Sequence, residues 1–156
     1  MKILCDQMLG TLAKWLRILG FDTFYANADM SDEDLLNIAK AENRTIFTRD
    51  KELIVRGKNK NLNFIAIETT DLDLQLIQIL KHVNIYEKSI LSRCTLCNTV
   101  LDVVEKNKVQ GKVPSKVFEN NEKFWFCSRC NKFYWMGSHY KEMMDKIDKI
   151  KKYSDN

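Results

Sequence analysis

Long hydrophobic runs are missing from this 156-residue chain. None approaches the roughly 18 apolar residues of a membrane span, so no membrane association is expected. The N-terminus, MKILCDQMLG, has one lysine and then a strand-like run carrying Asp6, without a long apolar region or a small-residue cleavage site. No signal peptide is read there, and a cytoplasmic location is the expectation. Low-complexity segments are also missing, as are internal repeats beyond two similar cysteine pairs. The single proline, Pro114, sits in the polar stretch Lys106–Lys116.

What remains is ordinary globular material: 45% hydrophobic residues, enough for a core, and 29% charged residues. The length suits one medium domain, or a domain of about 90 residues with a small appendage. Charge is unevenly placed. Residues 1–90 carry 12 Lys/Arg against 13 Asp/Glu, whereas residues 91–156 carry 13 against 8. A divalent cation held by four thiolates would take two charges off the second half. The remaining surplus mildly favours an anionic partner such as nucleic acid, although a basic surface kept for solubility fits equally well.

The first half alternates strand and helix patterns. Lys2–Cys5 suits a buried strand; Leu9, Leu12, Ala13, Leu16 and Leu19 then follow at helical spacing, and Gly20 is a natural stop. Thr23–Ala26, Thr45–Thr48 and Asn63–Ile67 are further strand candidates. Ser31 with Asp34 resembles an N-cap signature for a helix to about Asn43, a short helix starts near Asp50, and Thr70 or Asp71 could cap another. This alternation predicts an α/β fold, a parallel sheet flanked by helices, over residues 1–88. Residues 89–156 read differently, as a small cysteine-bearing module with strands at Val100–Val104, Phe124–Phe126 and Lys132–Trp135. A Lys-rich amphipathic helix, about Tyr140–Tyr153, is expected to dock rather than to act as a nucleic-acid arm.

Two C-x-x-C pairs, Cys94/Cys97 and Cys127/Cys130, are the sharpest chemical signal. Each offers two sulfurs from one tight turn, and two such turns complete a tetrahedral Cys₄ site. The 29 residues between Cys97 and Cys127 leave room for hairpin strands, as in a zinc ribbon. Asn98 and Asn131 follow the knuckles and suit left-handed backbone. In a reducing compartment metal ligation is favoured over disulfides. Such a closed site implies structural zinc; two unrelated cysteine pairs or a redox dithiol are the alternatives. Cys5, within an apolar strand, reads as a small buried hydrophobe.

Carboxylates stand where strands end. Asp6 follows the first strand, Asp50 the third, and Asp32, Glu33 and Asp34 open the helix after the second. Ligands of open parallel sheets bind at the carboxyl ends of the strands. Clustered carboxylates repel one another unless a cation such as Mg²⁺ or Mn²⁺ joins them, and such an ion can promote phosphodiester hydrolysis. Helix-dipole and N-cap roles are the alternatives for each acid alone.

The strings DQMLGTLAKWLRILGFDT (Asp6–Thr23), SDEDLLNIA (Ser31–Ala39) and NRTIFTRD (Asn43–Asp50), with CTLCN and FCSRCNKFYWMGSH later, resemble the Mut7-C family of PIN-like ribonuclease domains carrying a zinc ribbon. The resemblance runs in order over almost the whole chain. It implies a PIN-like domain followed by a ribbon, and metal-dependent cleavage of RNA. Carried over by position, the site acids would be Asp6, Asp32 and Asp50, with Thr48 beside them, Asp34 in reserve for the middle position and Asp71 a guess for a fourth acid. Lys14, Arg17 and Arg49 are candidate contacts to an RNA substrate, single-stranded by expectation, with Trp15 and His139 either touching RNA or serving packing and local hydrogen bonds. The ribbon could position RNA or a protein partner. A non-catalytic RNA- or ribosome-associated module of the same fold is the rival reading.

Overall fold

The structure is a computed structural model describing residues 1–86 and 89–154; residue 88, the expected end of the first module, lies outside the described residues. Four short strands, β1 (Lys2–Cys5), β2 (Asp22–Tyr25), β3 (Thr45–Thr48) and β4 (Phe64–Ala66), form a wholly parallel sheet in the order β2-β1-β3-β4. Helices α1 (Gly10–Ile18), α2 (Asp32–Glu42), α3 (Lys51–Lys58) and α4 (Leu72–Leu80) connect or follow them. Strand side chains alternate between faces. Ile3, Cys5 and Phe47 therefore join Leu12 and Leu16 of α1 and Leu76 and Ile79 of α4, while Leu4 and Ile46 meet Leu35 and Leu36 of α2 and Leu53 of α3. Burial on both faces is why β1 reads as an unbroken apolar run rather than an alternating one.

Local chemistry sets the boundaries. Ser31 and Asp34 form a reciprocal capping box at α2, and Asn43 ends that helix in the left-handed region at φ 52°. Asp50 and Asp71 cap α3 and α4 through backbone N–H groups. Gly20, at φ 91°, closes α1, and any Cβ there would run into the Ser89 carbonyl. That close approach lets residues 89–91 fold back on α1, where the Leu91 N–H donates to the Ile18 carbonyl at 2.8 Å.

Beyond this junction β5 (Asp102–Val104), β6 (Phe124–Cys127) and β7 (Lys132–Trp135) make a three-stranded antiparallel sheet. The first of these strands is shorter than the expected Val100–Val104, and Val100 makes only an isolated bridge to Arg93. The polar stretch around Pro114 holds α5 (Ser115–Asn120), a helix of under two turns whose apolar residues, Val117 and Phe118, are adjacent and make no stripe to announce it. The last helix, α6 (Ser138–Ser154), docks as expected, but its target is the first core: Ile147 and Ile150 pack with residues of β1, α1 and α4, and Lys146 pairs with Asp73 of α4. No described helix is long and apolar enough to cross a membrane.

Candidate active site and metal centre

The order β2-β1-β3-β4 reverses direction between β1 and β3, because the connection leaving β1 runs toward the β2 edge and the one leaving β3 toward the β4 edge. At such a switch point the loops beyond the strand ends part and leave a crevice. Asp6 leaves β1 there and Thr48–Asp50 leaves β3 beside it, bridged by an Asp6 N–H to Phe47 carbonyl bond of 3.2 Å. A small pocket of about 40 Å³ opens at this place, with Asp6, Asn27, Asp32 and Asp50 among its lining residues.

Asp6 is 4% exposed and firmly held. Its Oδ1 accepts the Met8 N–H at 2.8 Å; its Oδ2 accepts the Thr48 hydroxyl and, at 3.2 Å, the Arg49 N–H. Thr48 Oγ1 in turn accepts the Asp50 N–H at 2.9 Å, which ties the two strand ends into one network. Asp50 uses Oδ1 to accept the Glu52 and Leu53 N–H groups at the start of α3. Asp32 reaches the pocket from the start of α2, and its Oδ2 pairs with Arg56 Nη1 at 2.8 Å.

Of the acids weighed from the sequence, Asp6, Asp32 and Asp50 are brought to one pocket, and Thr48 hydrogen-bonds between two of them. Asp34 is not: its carboxylate faces Ser31 in the capping box, and those hydrogen bonds hold its pKa below the usual carboxylate value. Asp71, an exposed cap of α4, is not among the lining residues either. Asn27 was missed, although it follows the end of β2 and the strand-end rule points to that position as much as to Asp6.

The three candidate cations are placed differently. Arg49 donates its backbone N–H to Asp6. Lys14 lines a different cavity. Arg17 is corrected most clearly: it is 7% exposed and clasps three carbonyls, those of Thr23, Thr95 and Leu96, each at 2.9 Å. A guanidinium enclosed this way joins α1 to the first cysteine knuckle and is not open to phosphate. Asn98 completes the junction, accepting the Thr23 N–H at 3.0 Å and donating to Asp22 Oδ1 at 2.8 Å.

Cys94, Cys97, Cys127 and Cys130 converge, all four sulfurs lying within 4.8 Å of one another and none in a disulfide. A tetrahedral ion with ~2.3 Å bonds to sulfur needs sulfurs ~3.8 Å apart, so this set could hold a metal ion such as zinc. Among the described residues no other group of three or more such side chains is placed to hold an ion; Asp6, Asp32 and Asp50 share a pocket without forming such a group. Asn98 and Asn131 adopt φ of 67° and 52°, the left-handed turns expected after each knuckle. Tyr134 places its hydroxyl 3.1 Å from Cys94 Sγ, and Cys97 Sγ hydrogen-bonds to Thr99 Oγ1 at 3.2 Å. Burial would raise the Cys97 thiol, but the Thr99 side chain and backbone outweigh it and bring the pKa to about 6. The crowding of sulfurs, Cys97 foremost, pushes Cys130 up to about 12. Four thiolates this close require a cation.

Neither curated proteins nor solved structures give a match to this chain. Its sequence does match one family, described as the Mut7-C RNAse domain, over residues 1–147. That span includes both the acidic pocket and all four cysteines, and the chain belongs to the Mut7-C RNAse domain family.

Proposed function

We propose that the protein is a PIN-like, metal-dependent endoribonuclease whose reaction centre is the pocket of Asp6, Asp32 and Asp50. The observation that carries this reading is their shared pocket at the β1/β3 switch point. Family membership supports RNA as the substrate. The donor set is all oxygen, which suits Mg²⁺ or Mn²⁺. A volume of about 40 Å³ takes an ion with a water or two. Asp6, Asp32 and Asp50 would hold the ion, which supplies activation of water and stabilisation of the leaving oxygen in phosphodiester hydrolysis.

The chain's own residues do the positioning. Thr48 and the Arg49 N–H fix Asp6, and Asp50 is fixed by the cap it makes at α3, so both carboxylates are oriented before anything binds. The pocket is too small for a base, so single-stranded RNA lies across its mouth. The four cysteines hold a structural zinc, which folds the ribbon and gives it a face for RNA or a protein partner.

The Arg56–Asp32 ion pair favours a second reading, a non-catalytic RNA-binding module, because it already neutralises one of the three acids. Incubating end-labelled single-stranded RNA with Mn²⁺ separates the two. The nuclease reading expects cleavage by the wild type, and at least a hundredfold slower cleavage by Asp32→Asn and Asp50→Asn (about 3 kcal/mol of transition-state stabilisation). Equal cleavage by all three proteins contradicts the site; tight RNA binding without cleavage favours the module.

A further inference from the structure

A second cavity, about 410 Å³, lies between α1, β7 and the start of α6. Trp15, Ile18, Phe133, Trp135 and Met143 form much of its wall. Lys14, Lys132 and His139 also line it, and no carboxylate does. This combination selects for a ligand that is flat, partly apolar and anionic. We propose that the groove seats an unpaired nucleobase of an RNA strand, stacked on Trp135 against the α1 wall, with the flanking phosphates at Lys14 and Lys132. The proposal rests on RNA being the ligand of the acidic pocket, as inferred above.

Three features support it beyond the lining. The cavity has the size of small-ligand sites, about 300–1,000 Å³, where the acidic pocket is some tenfold smaller. Both indoles are braced. Lys146, paired to Asp73, sits 5.7 Å from the Trp15 ring centroid, and a Cβ at Gly137 would stand 2.9 Å from Trp135 Nε1, so the glycine lets that ring lie along the backbone. Rings held in place stack a base without first losing side-chain freedom. Finally, one continuous helical segment carries both sites: Gln7 and Met8 line the acidic pocket, while Thr11, Lys14 and Trp15 line the groove. A base anchored on α1 would therefore hold the strand close to the carboxylates. The groove is also built from both halves of the chain, which Arg17 and Asn98 lock together, so it exists only when the ribbon is docked.

The test uses the full, zinc-loaded chain carrying Asp50→Asn and a fluorescently labelled oligouridylate, read by anisotropy without divalent ions at several salt concentrations. Adding Lys14→Glu and Lys132→Glu, both at exposed positions, is expected to weaken binding at least tenfold and to flatten its salt dependence. Adding Trp135→Leu instead is expected to weaken binding about tenfold with the salt dependence kept, and to leave inorganic polyphosphate binding unchanged. Zinc content and circular dichroism confirm that each variant is folded. Unchanged oligouridylate binding in either variant overturns the proposal. Equal loss of polyphosphate and oligouridylate binding in Trp135→Leu also overturns it, since the ring would then not be reading a base. Cleavage by the wild type distinguishes the two readings: cleavage with groove-independent binding removes only the groove, and groove-dependent binding without cleavage removes only the nuclease.

Discussion

Asp6 and Asp50 look equivalent in the sequence, each an aspartate just past a strand, but their surroundings differ. Asp6 is buried and accepts three donors; an amide at its Oδ2 position would turn an N–H toward the Arg49 N–H. Asp6→Asn should therefore cost about 1–3 kcal/mol of stability, the penalty of a buried donor left without its acceptor. Asp50→Asn should cost much less, because Asn caps a helix as well as Asp does. Urea unfolding of the two variants checks this, and it identifies Asp50 as the cleaner probe of chemistry. Asp22 supplies a pH signature at the same scale. Burial raises its pKa, but hydrogen bonds from Arg44 and Asn98 outweigh this and hold it below the ordinary value. A lowered folded pKa means that its stabilising contribution is complete above about pH 4 and is lost as pH falls below that. The urea midpoint should thus decline more steeply between pH 5 and 3 in the wild type than in Asp22→Asn.

At the scale of elements, α6 is the piece whose place could not be read from local pattern. Its apolar stripe at Met143, Ile147 and Ile150 announced that it docks, but not on what, since α4 lies some seventy residues earlier. Ile147 is fully buried, and Ile147→Ala should cost about 2–5 kcal/mol. The loss should appear as faster hydrogen exchange in α1 and α4, not in β5–β7. The same contrast explains what was legible elsewhere. Strand ends need only the order of elements, so Asp6 and Asp50 were readable. The S-D-E-D string also contained its own answer: Ser31 and Asp34 sit at capping-box spacing, which leaves Asp32 for the pocket. Arg17 was not readable, because its partners Thr95 and Leu96 come to it only through the fold-back after Gly20. Asn27 has no charge to mark it at its strand end, so only the folded pocket distinguishes it.

For the whole molecule, the parallel sheet and the ribbon are separate cores joined by the Arg17 and Asn98 clasp and by the return of α6. Removing zinc should therefore unfold residues 94–135 while α6 and the acidic pocket stay formed, because neither takes its packing from the cysteines. Hydrogen exchange with and without a chelator measures this; loss of protection in β1 and β3 would show that the two cores are one cooperative unit. The proposed chemistry requires above all that the acidic pocket bind a divalent ion. Titrating the zinc-loaded protein with Mn²⁺, followed by the electron paramagnetic resonance of the free ion, tests it most directly. At least one Mn²⁺ should bind to the wild type, with the affinity falling at least tenfold in Asp50→Asn; equal binding by the two proteins, or none by either, would mean that these aspartates do not hold an ion.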